Sequence, residues 1–284
     1  MKWLVFGSNG WIGCQFCSIL DTLREVVIHA TSRADDEKSV ETEILNTLPD
    51  RIVSLIGRTY GPGFNTIDYL EQKGKLVENL KDNLYGPVLL AMLAKKHNIH
   101  FTYLGTGCIF NGYDGDTGSG YSENAIPDFY GSSYSTAKGF TDRIMHFFND
   151  SALNVRIRMP ISEDNNPRNF ITKIMNYKKI CSIPNSMTVL PELLPIMIDM
   201  AKNKLTGTVN LTNPGLITHN EILEMVREIL DPNFKWENFT LEEQSQILLA
   251  GRSNNLLDTH LLEKLYPNVL SIKDSVRNVI LKMK

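Results

Sequence analysis

The chain has 284 residues, 42% of them hydrophobic and 21% charged, a composition typical of a globular protein with a sizeable core. Its formal net charge of −3 gives no global basic field for nucleic acid or an anionic membrane. No apolar stretch reaches the roughly 18 residues of a membrane span. Four cysteines are too few for a disulfide framework, so a reducing, cytoplasmic setting is predicted.

Short β-rich runs alternate with helical patterns through the first half of the chain. Strands are predicted at residues 3–6, 26–30, 51–56, 100–104 and 154–159. The helical stretches between them include a long one over 67–97, in which Gly86-Pro87 marks a candidate break. This alternation predicts βαβ units, and therefore an α/β fold whose parallel sheet carries helices on both faces.

After Pro160 the sequence becomes polar and rich in asparagine and proline, with shorter elements. Helices are predicted near residues 190–202, 218–230, 241–249 and 272–283, with a strand at 208–211. We expect a main domain over 1–160 and a smaller lobe over 161–284, with some chain crossing back to the first domain.

A glycine-rich turn follows the first strand directly. Its glycines permit a tight turn, a close approach of the backbone to a pyrophosphate and close helix–strand packing. The alternative is a glycine turn without a ligand, but the preceding strand and the following amphipathic helix favour a nucleotide. The residues predicted to bind the cofactor here are Gly7, Asn9, Gly10, Trp11, Ile12 and Gly13.

The end of the second strand indicates which nicotinamide cofactor is bound. A ribose 2′-hydroxyl calls for an acid at this position, whereas a 2′-phosphate calls for arginine and hydroxyl groups. Ser32 and Arg33 come first, and Asp35 and Asp36 follow them. NADPH is therefore predicted rather than NADH.

Tyr134 and Lys138 are four residues apart on a predicted helix, and so share one face. We expect the ammonium of Lys138 to lower the pKa of Tyr134, making this phenol a proton donor to a carbonyl oxygen. Thr106, just beyond a strand, is placed to bond the same oxygen. Cys108 is either a catalytic thiol or a small buried hydrophobe. The six histidines suggest no metal site.

These residues resemble a known family. The glycine turn, Thr106, Tyr134 and Lys138 resemble the extended short-chain dehydrogenase/reductases. The second half is similar to the nucleotide-rhamnose synthase/epimerase-reductases in residues 156–162, 166–173, 184–188, 212–215, 219–223 and 252–255. The resemblance implies an NADP-binding Rossmann-type doubly wound parallel sheet over 1–160, with a sugar-nucleotide lobe over 161–284.

The resemblance also implies chemistry: conversion of UDP-4-keto-6-deoxy-glucose to UDP-rhamnose. Cys108 and Lys173 match the family's acid/base residues for C3 and C5, and Tyr134 and Thr106 would stabilise the enolate. NADPH would then reduce the 4-keto group, with Tyr134 donating the proton and Lys138 contacting the cofactor ribose. The substrate-binding residues that the resemblance implies are Asn83, Cys108, Asn169 and Arg252.

Alternatives remain for several of these residues and for the function. Lys173 could be a solvated surface lysine, Arg252 a salt-bridged arginine, and Asn83 a cap at a helix kink. The protein could act only as a 4-keto-rhamnose nucleotide reductase, or serve as a non-catalytic NADP-binding regulatory subunit. We further expect a separate UDP-glucose 4,6-dehydratase to supply the substrate, and a homodimer as the assembly.

Overall fold

The structure, a computed structural model, describes residues 1–284 and is built on one six-stranded sheet. Every neighbouring pair of strands is parallel, in the order β2-β1-β3-β4-β5-β6. The predicted α/β class is confirmed. The strands are β1 (Lys2–Phe6), β2 (Val26–His29), β3 (Arg51–Ser54), β4 (His100–Thr106), β5 (Ala152–Ile157) and β6 (Gly207–Asn210).

The strand order reverses direction at β1. The chain first places β2 on one side of β1, and then crosses to place β3 on the other side. In open α/β sheets, ligands bind beyond the carboxyl ends of the strands at such a switch point. The glycine turn after β1 lies at this point.

Helices cover both faces of the sheet, and none of them combines the length and apolar character needed to cross a bilayer. Helix α1 buries Phe16 and Leu20 against the sheet, with the Phe16 ring 6.2 Å from that of Trp3. The helices are α1 (Trp11–Thr22), α2 (Glu37–Thr47), α3 (Leu76–Leu80), α4 (Gly86–Lys96), α5 (Ser133–Met145), α6 (Phe170–Met175), α7 (Leu190–Lys202), α8 (His219–Ile229), α9 (Leu241–Ile247), α10 (His260–Leu265) and α11 (Ile272–Lys282).

The long helix expected over 67–97 has a different form. A 3₁₀ turn (Ile67–Glu71) comes first, and a π-turn (Lys81–Tyr85) joins α3 to α4 without the break predicted at Gly86-Pro87. Pro87 has no N–H for the carbonyl of Asn83 four residues earlier. The hydroxyl of Thr141 on α5 donates to that carbonyl at 2.6 Å instead, so the helix continues.

The second lobe has its own core, built from α6, α8 and α11 around Ile161 and Met187. Two short parallel pairs complete it, Pro160–Ile161 with Thr188–Val189 and Lys179–Ile180 with Glu237–Asn238. In contrast, α7 packs on the main sheet and β6 extends it beside β5. The strand expected at 208–211 thus belongs to the first domain, so residue 160 divides the chain only approximately.

A buried ion pair joins α5 to β5. The carboxylate of Asp142 accepts from Arg156 Nε and Nη2, both at 2.8 Å, and from Asn154 Nδ2 at 2.9 Å. We expect Asp142→Asn to lower the free energy of unfolding by about 3–5 kcal/mol, because it leaves the guanidinium buried and unpaired. Chemical denaturation measures this loss.

The matched control is the exposed salt bridge between Arg277 and Glu228, which also has two hydrogen bonds. Glu228→Gln should leave the denaturation midpoint nearly unchanged, since water replaces the lost contacts. Equal effects of the two substitutions would contradict the assignment of Asp142 to the core.

Candidate active site

The glycine turn after β1 has the geometry of a pyrophosphate cradle. Gly7 adopts φ +79°, and a Cβ on Gly13 would lie 2.1 Å from the carbonyl oxygen of Gly7, so neither position accepts a side chain. Gly10 caps α1 without a side-chain hydrogen bond, which leaves the first N–H groups of the helix for an anion. The backbone therefore fits a dinucleotide.

A cleft of about 1050 Å³ runs from this turn to the second lobe. Five of the six predicted turn residues line it, and Trp11 also donates from its indole to Asp164 in the lobe at 2.8 Å. Asn9 is exposed and does not line the cleft, so its side chain is not supported as a cofactor contact. The lining turn residues are Gly7, Gly10, Trp11, Ile12 and Gly13.

Ser32 and Arg33 line a smaller cavity of about 180 Å³ beside the turn. Ser32 is not free, because its hydroxyl and N–H both donate to Glu43 on α2. Arg33 lies largely in solvent and donates to Asp35 at 2.9 Å. Lys81, which the sequence did not single out, also contacts Asp35, at 3.1 Å, and lines the same cavity. Two cations thus flank this cavity.

Thr106, Cys108 and Tyr134 come together at the centre of the cleft. Thr106 Oγ1 accepts the N–H of Cys108 at 3.1 Å. Thr106 also acts to lower the pKa of Tyr134, against the larger effect of burial. Cys108 packs, partly exposed, against the small apolar cluster that contains Tyr134. A hydroxyl, a thiol and a phenol therefore face one reaction space.

Lys138 lines the same cleft but donates to the hydroxyl of Tyr103 on β4 rather than to Tyr134. Burial lowers the pKa of Lys138 to about 7. Burial likewise raises the pKa of Tyr134, with Cys108 adding to the effect. The expectation that Lys138 lowers the pKa of Tyr134 is therefore wrong for this structure, because desolvation dominates. No sequence pattern pointed to Tyr103, since it reads as one more apolar strand residue.

The lobe contributes a cluster of cations to the cleft. Lys173 on α6 faces it without a carboxylate partner, and burial, Arg168 and Arg252 lower the pKa of Lys173. Arg252 lines the cleft while held by Asp68. Arg168 lies 3.5 Å from the ring centroid of Tyr60 and pairs with no acid. The sequence analysis did not predict Arg168 as a site residue. Only its position in the family-like segment 166–173 could have indicated it.

Two predicted substrate ligands are instead structural. Asn83 is fully buried, with its amide bonded to the backbone of Arg58 and to Asn79. Asn169 is also fully buried; it caps α6 and donates to the carbonyls of Ser162 and Asp164. Neither side chain lines the cleft, so their contact with the substrate stays a prediction that the geometry does not support.

The parallel sheet, the glycine cradle and the Tyr134/Lys138 pair in one cleft define a nicotinamide-dependent oxidoreductase of the short-chain dehydrogenase/reductase class. A crystal structure of a dTDP-4-dehydrorhamnose reductase from Bacillus anthracis shares the fold, with a TM-score of 0.80 over 99% of each chain at 17% identity. No family model matches the chain.

Closer relatives identify the family. Protein L780 of Acanthamoeba polyphaga mimivirus is 60% identical over 286 residues, covering 100% of this chain and 99% of L780. Its crystal structure, described as that of a UDP-rhamnose synthase, superposes with a TM-score of 0.98. A bifunctional dTDP-4-dehydrorhamnose 3,5-epimerase/reductase of Arabidopsis thaliana is 40% identical over 279 residues, covering 97% of this chain and 91% of that protein. The chain belongs to the nucleotide-rhamnose synthase/epimerase-reductase family.

Proposed function

We propose that the protein converts UDP-4-keto-6-deoxy-glucose to UDP-L-rhamnose by 3,5-epimerisation followed by reduction of the 4-keto group with NADPH. The observation that carries this proposal is that Cys108, Thr106, Tyr134 and Lys138 share one cleft with the partnerless cation of Lys173. The first four can serve a ketone and its enolate, and Lys173 adds an acid/base group. Bound NADPH would supply the hydride.

Purified protein with NADPH and UDP-4-keto-6-deoxy-glucose alone tests the proposal in heavy water. UDP-rhamnose carrying deuterium at C3 and C5 is expected. Reduction only after an epimerase is added would establish the reductase-only alternative. NADPH binding with no turnover of any 4-keto sugar nucleotide would establish the regulatory-subunit alternative. Running dTDP-4-keto-6-deoxy-glucose in parallel compares the two nucleotides.

The diphosphate of the substrate fits the cations of the lobe. Arg168 has no acid partner, and its planar guanidinium suits bidentate contact with a phosphate. Arg252 can contribute a second contact from its position beside Asp68. We assign the diphosphate to Arg168 and Arg252 together, which keeps the predicted role of Arg252 and adds Arg168.

The preference for NADPH over NADH rests on Arg33. We expect Arg33→Ala to raise the Kd for NADPH about 10- to 100-fold while leaving the Kd for NADH within a few-fold, because a charge-assisted contact with the 2′-phosphate is lost. Fluorescence titration with each cofactor measures both constants. Lys38→Ala, an exposed lysine of α2 outside the cavity, is the control. An unchanged ratio of the two constants would remove Arg33 from the cofactor site.

We also propose a homodimer. Four large apolar side chains are at least half exposed on the neighbouring segments that contain α4 and α5: Tyr85, Met92, Phe140 and Phe147. A second copy of the chain would cover such a face. Light scattering should give twice the chain mass, and Phe140→Glu should give the monomer.

The substrate must come from a dehydratase, because a 4-keto-6-deoxy sugar arises by loss of water from a nucleotide hexose. We propose a separate UDP-glucose 4,6-dehydratase as the functional partner. UDP-glucose supplied to the purified protein with NAD⁺ and NADPH should remain unchanged until that enzyme is added. The four cysteines are unpaired, which agrees with the reducing, cytoplasmic setting proposed for the protein.

A further inference from the structure

Two arginines near the end of β5 are both fully buried, but only one has an acid partner. Arg156 is paired with Asp142. Arg158 is 1% exposed, lines the cleft, and forms no salt bridge. Its guanidinium donates only to neutral acceptors: Gly107 O at 3.2 Å, Ser253 Oγ at 3.0 Å, Ser253 O at 3.0 Å and Asn185 Oδ1 at 2.6 Å. Its Nε has no partner at all.

A buried charge without a counter-charge is expensive, at several kcal/mol per ion. Proteins therefore pair such charges, neutralise them or use them. Arginine does not give up its proton at ordinary pH, so Arg158 remains a cation. Its burial beside the cleft implies that a negative charge forms nearby during function.

Arg158 binds the segment that carries Cys108, and both residues line the cleft. Gly107, whose carbonyl accepts from Arg158, immediately precedes Cys108 in the chain. A Cβ on Gly107 would lie 3.0 Å from the Arg158 stem, so glycine lets the arginine pack against this segment. Burial lowers the pKa of the Arg158 guanidinium, while Cys108 and Tyr113 act to raise it.

Tyr134 and Lys138 are ionisable groups that line the cleft together with Cys108. Burial lowers the pKa of Lys138 to about 7, so Lys138 loses its charge as the pH rises through neutrality. Arg158 is a fully buried cation of the cleft that keeps its charge over this range. Tyr134, whose pKa is raised, stays neutral over the same range.

We propose that Arg158 is a positioning residue that serves epimerisation, by acting as the counter-charge of the Cys108 thiolate. This inference rests on the proposed epimerase function. The thiolate takes a proton from a carbon next to the C4 ketone, so that an S–H bond forms and the C–H bond breaks. The electron pair of that bond moves to O4 as the enolate, and nothing is oxidised or reduced. Hydride transfer does not require the thiolate, so reduction should depend little on Arg158.

Alkylation by iodoacetamide at pH 7, read for each cysteine by mass spectrometry, tests the proposal. In the wild-type protein Cys108 should react faster than Cys14, although Cys14 is the more exposed thiol. In Arg158→Met, and in Arg158→Gln as a second neutral variant, the Cys108 rate should fall about 10-fold or more and recover at higher pH. Arg158→Lys should restore part of the rate. Ser253→Ala removes a hydrogen bond of Arg158 without removing charge, and should leave the rate within a few-fold.

Solvent deuterium uptake should fall with the alkylation rate in the neutral variants, while reduction of pre-epimerised substrate stays within a few-fold. Three results would overturn the inference: a wild-type Cys108 slower than Cys14, an unchanged rate in a folded neutral variant, or the same loss in Ser253→Ala. If wild-type protein took up no deuterium, the proposed function itself would fail. The alkylation comparison would still decide whether Arg158 stabilises the thiolate.

Discussion

Tyr134→Phe should lower the rate of reduction of a pre-epimerised 4-keto sugar nucleotide by about 10²- to 10⁴-fold, the range for loss of a positioned general acid. Burial raises the pKa of Tyr134, so its phenol carries its proton throughout the neutral range. Thr106 lines the cleft together with Tyr134. Stopped-flow loss of NADPH absorbance measures the step, and NADPH titration shows whether binding is intact.

Tyr103→Phe is the matched control for this substitution. It removes one buried tyrosine hydroxyl, the one that accepts from Lys138, from β4 rather than from the centre of the cleft. We expect a much smaller loss of reduction from Tyr103→Phe, since Tyr103 contacts Lys138 and does not line the cleft. Similar losses from the two substitutions would show that Tyr134 is not the proton donor.

The pH dependence of reduction should follow Lys138. Because burial lowers the pKa of Lys138 to about 7, its ammonium is present below that pH and lost above it. We propose that this ammonium contacts the cofactor ribose. We expect kcat/KM for reduction in the protein to decline as pH rises through about 7. Lys138→Arg keeps the positive charge, so the activity that remains should no longer decline as the pH rises through about 7. A decline that persists in Lys138→Arg would show that another group causes it.

Local patterns predicted the features that depend on local spacing. The period of apolar residues predicted the bounds of five sheet strands to within a few residues. The glycine spacing predicted the tight turn at Gly7 and Gly13. Tyr134 and Lys138 are one helical turn apart, so their common cleft also followed from spacing. The strand predicted at 208–211 was expected without its partner, because β5 lies some fifty residues earlier and strand pairing leaves no local pattern in the sequence.

Features that depend on tertiary burial could not be predicted in this way. Asn83 resembled a ligand in its motif, yet the π-turn directs its amide to the backbone of Arg58. The charge state of Lys138 depends on total burial beside Tyr103, which only the folded chain creates. The sequence also gave no sign that Arg156 has an acid partner and Arg158 has none. Each difference comes from a contact between elements distant in the chain.

Cys108→Ala should abolish deuterium uptake from solvent into the sugar, with a loss of at least about 10²-fold, while sparing reduction of pre-epimerised substrate. Removal of a proton next to the ketone needs a base. Two cysteines line the cleft, and Cys108 is the one beside Thr106, whereas Cys181 is buried. Reduction needs the hydroxyls of Tyr134 and Thr106, which this substitution leaves in place. NMR of the product in heavy water reports both activities on the same sample.

Cys14→Ala is the control, because Cys14 is an exposed thiol that does not line the cleft. Lys173→Met completes the test, because it removes the partnerless ammonium. This substitution should also reduce deuterium uptake, but with a different distribution of the loss between C3 and C5 from that in Cys108→Ala. Residual label at C3 or C5 in one variant then shows which carbon the other residue serves. If Cys108→Ala lost both activities equally, the thiol would be holding the cleft in shape rather than moving protons, because the two reactions share the binding site but only epimerisation breaks a C–H bond of the sugar.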